Sequence, residues 1–401
     1  MPMPENVVVA GGGPVGLMIA LGLARQGIQV DLFEAEAGIV YSPRAIGYAW
    51  PILHALKAHG LLDAMLAAGS VEQERCWRVH ATGEQVVFDH SAIRDDTDTP
   101  FALTLGQDLL AGVLLEHLQH QATARVHWNS RLTAVDLQSD AACIRVEQPG
   151  GGTTIDCGWV VGADGGRSAV RRAMGLSLEG FSWDRRFVAT DIYFDFGAHG
   201  WQSCYLIDPV YGAVVYKLNE PGLWRFTYSE GATLPEAHVL GRMPSFANAA
   251  LPGDGKYRLK HFSPYNMHQR TAPTYRRGRA LLAGDAAHLT NPTSGFGLMG
   301  GLYDAFALIE ALGATIAGDV DDSILDRYSE ARRQVFLDVT SPVSIESLRL
   351  CFDSTNPQRL DWDIQQLRER IRDPARLRKL LWTPAALETP SLLNGTRYLS
   401  A

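Results

Sequence analysis

Val7-Val8-Val9-Ala10-Gly11-Gly12-Gly13-Pro14-Val15-Gly16-Leu17 is the most informative stretch of this 401-residue chain. Four apolar residues in a row suit a parallel strand buried on both faces. Glycines follow, and from Leu17 to Gln26 apolar residues recur at helical spacing until Gly27 stops them. Ile28-Gln29-Val30-Asp31-Leu32-Phe33 then reads as a second strand, so the chain opens as strand, helix, strand. Each glycine of Gly11-x-Gly13-x-x-Gly16 has a physical task. The first permits a tight turn, the second lets a pyrophosphate approach the backbone, and the third lets the helix pack on the strand. Unpaired amides at that helix start attract phosphate charge. Glu34 ends the second strand, where a carboxylate accepts hydrogen bonds from a ribose diol. Gly11, Gly13, Pro14, Val15, Gly16, Glu34 and Ala35 are therefore candidate dinucleotide contacts. The acid favours a ribose with a free 2'-hydroxyl, which FAD and NAD both carry and NADP lacks. The loop alone does not choose between the first two.

Outward from that unit, residues 48 to 68 and 106 to 121 have helical spacing, and 75 to 101 reads as short strands with polar turns. Strands are expected at 126 to 127, 142 to 146 and 156 to 162. From about 183 to 270, segments such as Phe187 to Thr190, Gly212 to Leu218 and Leu223 to Tyr228 set β-branched and aromatic residues between Gly, Pro and Asn turns. That pattern predicts a mostly antiparallel sheet. Ala280 to Gly284 reads as another buried strand, a glycine-bearing loop follows, and Leu302 to Ile316 reads as a helix. The tail from 319 to 380 reads as helices broken at Pro342 and Pro374.

Bulk composition is ordinary for a globular protein, with 46% hydrophobic and 20% charged residues. A net charge of -8 and no dense Lys/Arg block argue against nucleic acid as a partner. Cys76, Cys143, Cys157, Cys204 and Cys351 are scattered without a C-x-x-C pair, which fits buried thiols rather than a disulfide framework or a zinc site. The apolar start is too short for a signal peptide core or a membrane span, so a cytoplasmic location is expected.

Two distant motifs choose between the dinucleotides. Arg279-Ala280-Leu281-Leu282-Ala283-Gly284-Asp285-Ala286-Ala287-His288 continues to Pro292-Thr293-Ser294-Gly295-Phe296-Gly297-Leu298-Met299. A strand ending in Asp285 places a carboxylate for ribityl hydroxyls, and the loop amides can cradle the pyrimidine edge of a flavin, where negative charge gathers on reduction. This segment resembles the "GD" motif of the class A FAD-dependent aromatic hydroxylases, the p-hydroxybenzoate hydroxylase-like and phenol hydroxylase-like monooxygenases. Val161-Gly162-Ala163-Asp164-Gly165-Gly166-Arg167-Ser168-Ala169-Val170-Arg171 is similar to their "DG" motif, which in that family serves the flavin and the nicotinamide donor. Arg167 and Arg171 can alternatively be solvated charges. Three motifs in the family's order cover about 300 residues and imply FAD as cofactor.

The resemblance implies an α/β fold: a glutathione reductase-type, Rossmann-like FAD domain with an inserted, mostly antiparallel substrate sheet and a C-terminal helical segment. The FAD domain would comprise 1–74, 102–182 and 271–318, the substrate domain 75–101 and 183–270, and the helical segment 319–401. Cofactor contacts carried over are Arg44, Gln107, Leu132, Asp164, Asp285, Pro292, Gly295, Gly297, Leu298 and Met299. His288 falls in the motif's structural turn. Many members have Asn after Met299, whereas this chain has Gly300-Gly301, a departure expected to touch substrate-side detail. The implied reaction is NADPH- or NADH-consuming hydroxylation of a phenolic or related (hetero)aromatic ring by dioxygen through a flavin C4a-hydroperoxide. No second glycine fingerprint follows a strand, so the nicotinamide would visit transiently. An epoxidase, reductase or halogenase on the same framework, or a FAD redox sensor without turnover, are the alternatives; the Trp-x-Trp-x-Ile-Pro halogenase signature is absent.

Substrate contacts are expected from the sheet: Tyr205, Tyr216, Arg225 and Tyr228, with Pro292 from the loop. Strand alternation puts Trp224, Phe226 and Tyr228 on one face and Arg225 on the other, and either face can look at the pocket. No side chain is singled out as catalytic, and no metal is expected. The stretch Ile364 to Leu381 either packs on the FAD domain or pairs with another subunit, so the protein is a monomer or a homodimer.

Overall fold

The computed structural model describes residues 6–43, 45–138 and 140–399. Its first layer is a six-stranded sheet in the spatial order Arg276–Arg277, Ala280–Leu282, Trp159–Gly162, Val7–Ala10, Val30–Phe33, Ala124–His127. The four pairings from Ala280–Leu282 onward are parallel. Val7, Val8 and Val9 are fully buried, as a strand covered on both faces requires. One face is covered by the helices Pro14–Arg25 and Phe296–Ala317, which pack on each other. The latter is long and apolar enough to cross a bilayer, but it belongs to the main core: Leu302, Ala305, Leu308, Ala311 and Leu312 are fully buried. A three-stranded meander, Arg131–Leu137, Ala142–Gln148 and Gly151–Cys157, hangs from this layer.

The second layer is an eight-stranded sheet. In order it runs His288–Leu289, Arg258–Thr271, Glu179–Tyr193, Leu223–Gly231, Ala213–Lys217, Cys204–Ile207, Glu74–Val79 and Gln85–Asp89. Cys204–Ile207 and Glu74–Val79 pair in parallel, which recruits the early strands across some 130 residues of sequence. The expected antiparallel region also contains a helix, Val239–Ala250, which carries Pro244 in its interior. It covers one face of the sheet, where Val239, Met243 and Ala247 pack with Trp224, Phe226 and Tyr228. Sheet-only expectations for 183–270 therefore need this correction: an apolar sheet face required a cover, and the chain supplies one locally.

The long tail helix is not broken at Pro342. Ile324–Val335 passes through a π-helical segment, Phe336–Thr340, directly into Ser341–Phe352. Widening the helix before a proline relieves the clash of its ring with the preceding turn. Pro357 and Pro374 instead start the helices Pro357–Arg372 and Pro374–Leu381, where a missing N–H costs nothing. The stretch Ile364 to Leu381 packs within the chain and bridges both layers. Ile364 and Leu367 meet Val79, Val86 and Ile207 of the sheet, while Leu377 and Leu381 pack on Trp50 and Ile93.

Candidate active site

The strand register Ala10↔Gly162 and Gly162↔Leu282 sets three strand ends side by side, and each runs into one of the three motifs. Ligands of such sheets bind outside the carboxyl ends of the strands. A cavity of about 830 Å³ lined by Gln29, His59 and Glu310 lies at the opposite, amino end and has no part in this arrangement. Gly11 has φ +105°, and a Cβ there would fall 2.3 Å from the Ala163 carbonyl oxygen. A Cβ on Gly16 would fall 2.0 Å from the Gly11 oxygen, so neither position accepts a side chain. Gly13 is exposed and a Cβ there would meet nothing within 4 Å, which leaves bare backbone for a pyrophosphate. The helix Pro14–Arg25 starts without a side-chain cap and without an acidic residue in its first turn, so its amides remain available to an anion. Glu34 accepts from the Gly12 amide at 2.6 Å and the Glu36 amide at 2.9 Å, which pins the carboxylate while lone pairs remain for a ribose hydroxyl. The Ser130 amide donates to the Glu34 carbonyl at 2.7 Å and so brings the Leu132 strand beside the acid.

In the second motif, Asp164 Oδ2 accepts from the Ala169 amide at 2.6 Å and holds the start of the helix Ala169–Ala173. Burial pushes this carboxyl above its usual range, and Oδ1 is buried without a partner. Arg171 is not a solvated charge. It is buried, donating to the Ala286 carbonyl at 2.8 Å and the Gly166 carbonyl at 2.6 Å, and so braces the second motif against the third.

The third motif touches the first directly. A Cβ on Gly301 would lie 2.9 Å from Val15 Cγ2 and 3.1 Å from Gly284 Cα, so glycine here is what lets the helix Phe296–Ala317 approach the opening turn. At Gly300 the nearest atom would be His288 Cε1 at 3.8 Å. Gly301 therefore serves the packing of the cofactor layer, while Gly300 has room for a side chain beside His288 and Thr340. Asp304, fully buried, accepts from His288 Nε2 at 2.7 Å, the Gly284 amide at 3.0 Å and Arg332 Nε at 2.7 Å. Burial alone would raise its carboxyl, but His288 and Arg332 hold it down at about 2. His288 is thus a structural member of a buried network. Asn291 caps Pro292–Ser294 by accepting from the Thr293 amide at 3.1 Å, Gly295 turns with φ +74°, and Ala49 donates its amide to Met299 Sδ at 3.4 Å. Thr293 Oγ1 is buried in this loop without a partner.

The eight-stranded sheet has two unlike faces. Cys76, Cys204, Val215, Trp224, Phe226 and Tyr228 point outward into the core beneath Val239–Ala250. Tyr228 is stacked on Phe246 at 4.1 Å, on the wrong side for the pocket. In-register neighbours on the inner face are Arg225 with Tyr216 and Asp191, Tyr205 with Trp77, and Arg75 with Phe88. Arg225 is buried and forked onto Asp191, at 2.7 and 2.9 Å, and the Tyr41 hydroxyl donates to the same carboxylate. Gly47 lies against both parts: a Cβ there would sit 3.4 Å from Arg75 Nη2, and its carbonyl oxygen would lie 3.7 Å from a Cβ on Gly295. Between the inner face, the Ser294–Phe296 end of the loop and the helix Ser341–Phe352 is a cavity of about 700 Å³ with aromatic walls, among them Trp77, Phe88 and Tyr205.

The family model for the FAD binding domain matches residues 5–342. The chain is 41% identical over 400 residues to the para-nitrophenol 4-monooxygenase of a Pseudomonas species, covering 98% of this chain and 97% of that one. It is 39% identical over 396 residues to the 6-hydroxy-3-succinoylpyridine 3-monooxygenase of Pseudomonas putida, covering 97% and 100%. The crystal structure of a p-nitrophenol 4-monooxygenase from Pseudomonas putida superposes with a TM-score of 0.93 at 38% identity, over 99% of this chain and 100% of that one. The chain belongs to the FAD-dependent aromatic hydroxylases. Its cofactor is FAD, and the residues fit it: bare backbone at Gly13, an uncapped helix start at Pro14, a pinned Glu34 and an unpartnered Thr293 hydroxyl in the third-motif loop. The alternatives of an epoxidase, a reductase, a halogenase or a redox sensor are not favoured.

Within this hydroxylase, Gly11, Gly13, Pro14, Val15, Gly16, Glu34, Ala35, Asp164, Pro292, Gly295, Gly297, Leu298 and Met299 lie on the three converging segments, and Asp285 is exposed at the turn after Gly284. Gln107 starts the helix Gln107–Gln119, beside the 46–47 segment through the Leu105 amide bonded to the Ile46 carbonyl at 2.8 Å. Arg44 lies outside the described residues. Sequence reasoning missed Arg75, Trp77 and His90, which line the cavity. His90 is held neutral, its imidazole lowered to about 4 chiefly by burial, with Arg75 adding to the effect and Asp89 and the Gln73 carbonyl opposing it.

Proposed function

We propose that this hydroxylase inserts one atom of dioxygen into a single phenol or hydroxypyridine ring bearing an electron-withdrawing substituent, with NADH or NADPH as the reductant. The observation that carries the reading is the aromatic cavity between the inner sheet face, the Ser294–Phe296 end of the loop and the helix Ser341–Phe352. Similarity along the whole chain to a nitrophenol and a hydroxypyridine monooxygenase supports the ring type. Bound FAD supplies electron storage and oxygen activation. The chain supplies the rest. Gly11 to Gly16, Glu34, Asp164 and Asp285 hold the cofactor, and Pro292 with the amides of Gly295 and Gly297 faces its reactive end. Tyr205 and Tyr216 orient the ring. Burial pushes the Tyr205 phenol far above its usual range, so it stays protonated and donates. The aromatic walls exclude water from the reacting centre.

Oxygen-dependent oxidation of NADH and NADPH is the test. Stimulation by 4-substituted phenols or hydroxypyridines, with a hydroxylated product, supports the reading; a rate indifferent to every such ring contradicts it. A location inside the cytoplasm and a monomeric or homodimeric state belong to the same proposal, the second checked by light scattering.

A further inference from the structure

The two buried arginines among the described residues of this sheet are neutralised. Arg225 is forked onto Asp191, and Arg186 meets Glu230 at 3.1 Å and Glu236 at 3.2 Å. Arg75 is different. It lies deep on the inner face, its residual exposure opening on the cavity, and among the described residues it has no ion pair. Its Nε is buried without a hydrogen-bond partner. The guanidinium sits 5.3 Å from the centre of the Tyr216 ring, and Tyr205 packs edge-on to that ring at 6.4 Å. A guanidinium taken out of water without an anion is costly, so an unneutralised one in a cavity marks the place of an anionic group.

We propose that Arg75, flanked by Tyr205 and Tyr216, receives the ionised oxygen of the substrate ring and makes the enzyme selective for acidic phenols. The inference rests on the ring chemistry proposed above and names the residue that reads it. Geometry supports the assignment because Arg75 Nη2 lies against Gly47, whose carbonyl in turn faces Gly295 of the flavin-side loop. The ring-sized space beside it is walled by Trp77, Phe88, Tyr205, Phe296, Val343 and Leu350. Arg75 discriminates through charge: a phenolate gains charge-assisted hydrogen bonds from its fork, whereas a neutral phenol or ether leaves the cation unsatisfied. The other ionisable groups around it are accounted for. Glu72, on the preceding strand Ser70–Glu72, has its carboxyl raised chiefly by burial, with Arg75 and Lys217 drawing it down from beyond ion-pair distance, and His90 is neutral. Across the cavity, Glu346, Arg349, Asp363 and Arg359 pair among themselves, with Asp338 and Arg370 at the rim.

The experiment titrates 4-nitrophenol against the oxidised FAD-loaded enzyme from pH 5 to 9, following the phenolate absorbance and the flavin perturbation, with 4-nitroanisole as the ligand that cannot ionise. In the native enzyme the bound phenol is expected to ionise about one pH unit below its value in buffer, and phenolate to bind about tenfold or more tighter than the ether. Arg75→Met abolishes both differences, and Arg75→Lys restores part of them. Arg78→Met, on the same strand but with its guanidinium 4.6 Å from Trp201, changes neither. Should Arg75→Met fail to hold FAD, Arg75→Lys decides, and must weaken phenolate several-fold with the ether unaffected. Unchanged affinity and ionisation in the Arg75 variants would overturn the assignment. Phenolate binding through Arg75 without stimulated NAD(P)H oxidation would sink the hydroxylation reading and leave this one standing.

Discussion

Replacing Asp304 by Asn tests how the third motif is held. The carboxylate is 0% exposed and ties the Gly284 turn, His288 and Arg332 together. Held at about 2, below the ordinary carboxylate range, its ionisation is worth about 2–3 kcal/mol. The substitution also leaves Arg332, itself 2% exposed, without its anion, and breaking a buried pair costs about 3–5 kcal/mol. A loss of about 3 to 5 kcal/mol in urea unfolding, followed by tryptophan fluorescence at fixed FAD concentration, is therefore expected at pH 7. The sign with pH follows from the depressed carboxyl: its contribution is complete above about pH 5 and is lost as pH falls toward 2. The gap between native and Asp304→Asn proteins should narrow between pH 5 and 3. A gap below about 0.5 kcal/mol at pH 7, or one that persists unchanged at low pH, refutes the role of this network.

Gly16→Ala should abolish FAD retention on desalting, because its Cβ would lie 2.0 Å from the Gly11 oxygen, whereas Gly13→Ala should fold normally and bind FAD more weakly. Gly301→Ala should cost about 1–3 kcal/mol in the same urea experiment, with Gly300→Ala costing less than Gly301→Ala. Tyr216→Phe should slow turnover or raise KM several-fold in steady-state assays, and Tyr228→Phe, facing the outer core, should leave both unchanged. Asp191→Asn should destabilise by about 3–5 kcal/mol because the buried Arg225 loses the carboxylate it forks onto, measured as a drop in the urea midpoint.

The cofactor layer was legible because its signals are local. Strand, glycine turn and helix are contiguous from Val7 to Arg25, and a glycine pressed against backbone, as Gly11 is, has no substitute. The order of the three motifs then implied the parallel strands that set them side by side. The substrate wall was less legible. Period-2 alternation separated Arg225 from Tyr228 but could not say which face is covered, because the cover is a helix, Val239–Ala250, whose internal Pro244 hides it from pattern reading. Arg75 and His90 escaped notice because their environment is made by the parallel pairing of Glu74–Val79 with Cys204–Ile207, far along the chain. Likewise His288 could be placed in a structural turn, while its partners Asp304 and Arg332 emerge only when the helices Phe296–Ala317 and Ile324–Val335 pack.

The most direct measurement is turnover of 4-nitrophenol by the purified, FAD-loaded protein under isotopically labelled dioxygen, with NADH or NADPH in limiting amount. One labelled oxygen atom in each molecule of hydroxylated product, in proportion to the nicotinamide oxidised, is the expected result. Product oxygen drawn from water, or nicotinamide oxidation that yields only hydrogen peroxide with 4-nitrophenol and every related ring, would contradict it.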